Sequence, residues 1–139
     1  MTSQLNRPST LQRVGYTLGA IVAGVVVGSL LNMGTIVLVG SLLNMGTIVL
    51  GSSLLPLVPF VAHALGTLAG AWIAALVARR VGTVRVAAGA IALLFLAGGI
   101  GAVGMIPAAP LWFDVLDLAG AYLPMAWPGA RLATRTPAA

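Results

Sequence analysis

The chain has no cysteine, no lysine and no glutamate, and only two of its 139 residues are acidic. Without cysteine there is no disulfide, no thiolate metal site and no cysteine nucleophile. Without lysine no glycine-rich phosphate loop can be completed. Charged residues make up 6% of the chain, against roughly 25% in soluble globular domains, which excludes a water-soluble fold. Disorder is excluded on the same ground, since disordered segments are polar and highly charged. What the chain has instead is apolar surface: 60% hydrophobic residues and a mean hydropathy of +1.09.

The seven arginines (Arg7, Arg13, Arg79, Arg80, Arg85, Arg131 and Arg135) and the two acids, Asp114 and Asp117, give a net charge of +5. In a polar chain that balance would point to nucleic acid. Here the arginines occupy short flanks between long apolar runs, where they read as membrane-orientation signals, and no nucleic-acid partner is expected. No fixed charge falls between Val14 and Ala78. About 20 apolar residues cross a hydrocarbon core of about 30 Å, so this run holds at least two spans. Pro56-Leu57-Val58-Pro59 is the natural break. The spans fall at about residues 14–38, 60–78, 86–106 and 111–127, the last stopped by Pro128-Gly129. The expected fold is therefore all-α, a four-helix integral membrane bundle forming a single domain over residues 1–139. All seven arginines then lie on one side, which puts both termini in the cytoplasm.

Local signals agree. Ser9 and Gln12 form a capping box at the start of the first helix. Trp112 and Phe113 at one end of the fourth span, and Trp127 at the other, suit the two interfacial aromatic belts. The N-terminus reads as an uncleaved anchor, because its apolar stretch is too long for a signal peptide and lacks a cleavage site.

Residues 27–38 read VGSLLNMGTIVL, and residues 39–50 repeat them without a change. Such identity marks a recent duplication. As continuous helix it adds about 18 Å and makes the stretch from Arg13 to Leu55 about 60 Å long, twice the bilayer core. An ordinary tilt of about 20° cannot absorb that excess. The helix is therefore expected to end near Asn32-Met33-Gly34 or Asn44-Met45-Gly46, leaving the remainder as an interfacial or re-entrant segment; the alternatives are an apolar rod projecting from the membrane and a hairpin of two spans, which the placement of the arginines opposes. Identical copies also raise the hypothesis that the first span slips between two registers one block apart.

Small residues recur at helical spacing: Ala62, Gly66, Gly70, Ala74 and Ala78 on the second span, and Ala20, Gly24 and Gly28, with Gly15 and Gly19, on the first. Such stripes let membrane helices approach closely, within one chain or between copies. Leu68-Ala69-Gly70-Ala71-Trp72 is echoed by Leu118-Ala119-Gly120-Ala121-Tyr122, a hint of internal repetition.

Ionisable groups inside a span are costly, so His63, Asp114 and Asp117 are the candidate site. Counting from the arginines at about 1.5 Å per residue, they lie about 21–25 Å up, in one layer below the outer surface. Two readings stay open. One is a polar clamp between the second and fourth spans, with Asn32 or Asn44, Thr35 or Thr47, and Thr67 as further partners. The other is a proton site, since histidine changes charge near neutral pH. Asp114 alternatively caps the fourth helix. No metal-ligand spacing, nucleophile–base set or cofactor motif is present, so neither an enzyme nor a cofactor is expected.

The run His63-Ala64-Leu65-Gly66-Thr67-Leu68-Ala69-Gly70-Ala71 resembles a family of small bacterial four-span inner-membrane proteins. The likeness continues through Pro110-Leu111-Trp112-Phe113, Leu116-Asp117-Leu118 and the stretch from Ala121 to Trp127, with Asn32-Met33-Gly34 in the first span. It implies four spans and adds weight to His63 and Asp117 without giving them a role. Family members carry a longer polar segment between the first two spans; here the duplicated block and a proline turn stand in its place. The expected function is association, as an accessory subunit or a homo-oligomer within the lipid bilayer. The alternative is a proton-linked small-molecule transporter built on His63, Asp114 and Asp117.

Overall fold

The computed structural model describes residues 8–50, 57–105 and 110–137, with the side chains of 43–50 excepted. Among them there is helix and no strand. Helix α1 spans Thr10–Leu50, α2 Leu57–Ala78 and α3 Val84–Met105. A fourth helical run follows in three pieces: α4 Leu111–Asp117, a π-helical turn Leu118–Tyr122, and α5 Leu123–Arg135. Three helices are long and apolar enough to cross a membrane: Thr10–Leu42, Leu57–Val81 and Val84–Met105.

Helix α1 starts on a reciprocal cap. Ser9 N donates to Gln12 Oε1 (2.9 Å) and Gln12 N to Ser9 Oγ (3.2 Å), satisfying two amides that would otherwise lack acceptors. It then runs unbroken for 41 residues through both Asn-Met-Gly triplets, contrary to the expected break. The reason is local. Nothing from Val14 to Leu50 is proline, and an isolated glycine costs only about 1 kcal/mol in a helix, too little to stop one. Two other boundaries differ from expectation. Helix α2 begins at Leu57, with Pro59 in its first turn, where a missing N–H costs nothing. Helix α5 runs through Pro128-Gly129 to Arg135. The carbonyl that Pro128 leaves without its usual donor belongs to Pro124, in the first turn of α5. Gly129 serves as a packing point: a Cβ there would press into the Leu68 carbonyl and stand 3.1 Å from the Ala71 Cβ.

Helix α2 touches every other helix, and the core around it is built almost wholly from alanine. The tightest seam is α1 against α2, antiparallel. A Cβ on Gly24 would meet the Gly70 carbonyl oxygen at 2.5 Å, and one on Gly28 the Gly66 oxygen at 2.6 Å. Ala20 and Ala74, one turn further on, are fully buried. Gly15 and Gly19, on the same helix, meet nothing within 4 Å. At the far end of this seam the hydroxyls of Thr17 and Thr83 lie 2.8 Å apart. The Arg79 guanidinium donates to the carbonyls of Ala133 (3.2 Å), Thr136 (2.6 Å) and Pro137 (3.1 Å), closing the carbonyl-rich end of α5. These ties gather Arg13, Arg79, Arg80, Arg85, Arg131 and Arg135 at one end; Arg7 lies outside the described residues.

The pairing of Gly28 with Gly66 and Gly24 with Gly70 fixes a register in which Val37 stands opposite Leu57, the first residue of α2. The first copy of the block packs on α2. The second, residues 39–50, runs about 18 Å past it. Slippage by one block would put Ile36 where Gly24 meets the Gly70 backbone, and Asn32 where Ala20 is fully buried. The residues ahead of the block thus select one register. In this cysteine-free chain, a cysteine at Asn32 should crosslink through a short thiol reagent to one at Ala102, across the cavity both line. A cysteine at Asn44 should not. Equal reaction at both positions would contradict the single register.

Candidate functional site

Helix α2 presents His63, and the last residue of α4 is Asp117. His63 Nδ1 lies 2.8 and 3.0 Å from the two carboxylate oxygens of Asp117, so the ring donates its Nδ1–H there. Asp117 is only 4% exposed. The Tyr122 hydroxyl donates to Asp117 Oδ2 over a longer 3.4 Å, and its ring stacks on the His63 imidazole with centroids 5.6 Å apart. The three side chains form one connected cluster between α2 and the fourth helical run.

The π-helical turn brings Tyr122 into this cluster. Residues five apart on an α-helix point about 140° away from each other. A turn closed by i→i+5 bonds brings them back onto one face. The turn also sits directly ahead of Pro124, which has no N–H to donate and whose ring crowds the carbonyl four residues earlier. A regular α-helix would turn Tyr122 away from Asp117, so helical periodicity alone does not bring it to the polar layer. Pro124 was the available signal. The repeat suggested by Leu68–Trp72 and Leu118–Tyr122 does not carry over to the backbone, since the first segment is α-helical and the second is this π turn.

Other predicted members behave differently. Asp114 is half-buried on the first turn of α4 and its carboxylate makes no hydrogen bond among the described residues; no side chain caps α4. The Thr67 hydroxyl, fully buried, donates to the His63 carbonyl of its own helix (2.8 Å) rather than to the cluster. Thr35 makes no side-chain bond to the cluster. The side chains of Asn44 and Thr47 lie outside the described residues. Phe113 is buried, packed edge-on against Trp112, while Trp112 and Trp127 face outward.

Beside the cluster lies a cavity of about 220 Å³, lined by Ser29, Asn32, His63, Phe95, Gly99 and Tyr122 among others. Asn32 Oδ1 is buried without a donor. Because Asp117 takes the Nδ1–H, the remaining ring nitrogen of His63 is Nε2, and the ring is 19% exposed. A carbonyl oxygen and an imidazole nitrogen on one small cavity suit water, a proton or a small hydrogen-bond donor. Beyond His63, Asp114 and Asp117 the sequence holds no histidine or acidic side chain to continue a proton path toward the arginine end. Among the described residues no group of three or more histidine, cysteine or acidic side chains is placed to hold a metal.

No family model, curated protein or solved structure matches the chain, so the reading of this site rests on its own residues.

Proposed function

We propose that this chain is a small multi-pass protein of the bacterial inner membrane, four spans with both termini cytoplasmic, whose work is association. It acts as an accessory subunit or as a homo-oligomer, without enzymatic chemistry. Three helices long and apolar enough to cross a membrane, and arginines gathered at one end, support the placement. In this reading the His63–Asp117–Tyr122 contact clamps α2 to the fourth helical run, and the paired glycines clamp α1 to α2.

One observation carries association: the length of α1. Its 41 residues span about 60 Å, and the register against α2 sends residues 39–50, all uncharged, past the end of its packing partner. Water penalises such a segment unless something covers it. Deleting residues 39–50 should leave the packed helices intact, because every α1 contact named above comes from residues 17–32, ahead of the second copy. It should also release whatever proteins purify in fixed ratio with the full chain, or reduce its oligomer. Companions retained in full by the shortened chain, or an oligomer of unchanged size, would contradict this reading.

A second reading, a proton-linked small-molecule transporter, is favoured by the cavity that His63 shares with the unpaired Asn32 carbonyl. Asp117→Asn separates the two. A transporter loses proton coupling, whereas a clamp loses mainly stability.

A further inference from the structure

At the arginine end, α3 and α5 leave a groove of about 340 Å³ between them. Its floor includes the buried Ala92 and Ala126, with Gly89 and Ala130 beside them; the outward-facing Trp127 forms a wall, and Arg85 stands at its mouth. Arg131 lies over the Trp127 ring, its guanidinium carbon 4.1 Å from the centroid, so a second cation borders the groove.

Among the described residues no acidic side chain stands near these cations. The chain's acidic side chains are Asp114 and Asp117, and Asp117 is fourteen residues before Arg131, about 21 Å along the helix and beyond the screening length of about 8–10 Å. Arg79 spends its guanidinium on carbonyls at the end of α5; Arg85 and Arg131 have no such partners among the described residues. Arg85 also sits in the first turn of α3, where the helix end is itself partly positive and no acidic residue offsets it.

We infer that this groove seats one anionic phospholipid, its headgroup phosphate held between Arg85 and Arg131 and an acyl chain lying along Ala92 and Ala126. The inference rests on the membrane placement proposed above. Basic pockets between membrane helices on the cytoplasmic side bind anionic headgroups in this way, each arginine contributing about fivefold in affinity.

The test uses the full chain, delipidated in a neutral detergent, with native mass spectrometry of bound phosphatidylglycerol against phosphatidylcholine of the same acyl chains. One phosphatidylglycerol per chain should be retained, with a preference of about thirtyfold from two arginines. Arg85→Gln and Arg131→Gln should each lower the preference about fivefold, and Arg80→Gln, off the groove, should leave it unchanged. Gly89→Leu should weaken both lipids alike; a Cβ at Gly89 meets nothing within 4 Å, so the side chain enters the groove without pressing on the backbone of a neighbouring helix. Inorganic phosphate should not displace the lipid. Equal retention of the two lipids would overturn the inference, as would Arg80→Gln matching Arg85→Gln, or displacement by phosphate, which would mark a free-anion site. Flotation with phosphatidylcholine vesicles separates the two levels. A chain that fails to float refutes the membrane placement and the lipid site with it, whereas one that floats without a phosphatidylglycerol preference refutes the lipid site alone.

Discussion

Replacing Gly24 with leucine should cost at least about 3 kcal/mol and leave α1 undocked from α2. A Cβ at position 24 would stand 2.5 Å from the Gly70 carbonyl oxygen, 2.8 Å from the Ala74 Cβ and 2.9 Å from the Ile91 Cδ1. The first of these is backbone and cannot swing away. Overpacking in a core costs about 1–3 kcal/mol when side chains can adjust, so a contact with main chain belongs at or above that range. Membrane helices gain little hydrophobic drive from each other, so close backbone approach is most of what holds this seam. Gly15→Leu is the control: the same substitution on the same helix meets open space and should change stability by no more than about 0.5 kcal/mol. Unfolding in mixed micelles, followed by tryptophan fluorescence, reads both. Comparable losses at positions 24 and 15 would mean that α1 does not pack through Gly24.

Asp117→Ala should be the most costly polar substitution, at about 2 kcal/mol. It removes the acceptor of two donors, His63 Nδ1–H and the Tyr122 hydroxyl, in a place 4% exposed. Breaking a buried charged pair in a soluble protein costs about 3–5 kcal/mol. Hydrogen bonds between membrane helices average about 0.6 kcal/mol, with a maximum near 1.7, because the unfolded helices find other partners in the bilayer. Two bonds at that scale decide the figure. Asp117→Asn keeps the shape and one acceptor oxygen and should cost about half as much. Asp114→Ala should cost no more than about 0.5 kcal/mol, as the Asp114 carboxylate bonds to nothing among the described residues. A double-mutant cycle between His63→Ala and Asp117→Ala should give a coupling of about 1 kcal/mol. A coupling of zero, or an Asp114 variant as damaged as the Asp117 variant, would contradict the pairing.

The two acids show how far sequence reasoning reaches. Depth along the helices brought His63 and Asp117 to one layer, because distance along a regular helix is simple arithmetic. Choosing between Asp114 and Asp117 needed the rotation of α4 about its axis, which no single sequence supplies. Tyr122 was out of reach for a related reason: its place depends on a local change of helical period beside Pro124. The Ser9–Gln12 cap was legible in full, since both bonds are local. So was the small-residue face of α2, although its partner on α1 had to be separated from the open Gly15–Gly19 pair by packing alone.

The first helix teaches the converse. The expected break at Asn-Met-Gly came from comparing helix length with bilayer thickness, a constraint set by surroundings. Continuity of a helix is decided by its own hydrogen bonds, and nothing between Thr10 and Leu50 interrupts them. The excess length is therefore real at the level of the chain, and in the proposed association a partner rather than a kink accommodates it.

The most direct test of association is the mass of the intact particle, purified from native membranes in a mild detergent. Association predicts a particle heavier than one 14.0 kDa chain plus its detergent and lipid, with either other proteins in fixed ratio or further copies of itself. A monomeric particle free of companions would contradict it, and would turn attention to the cavity beside His63 as the working part of the molecule.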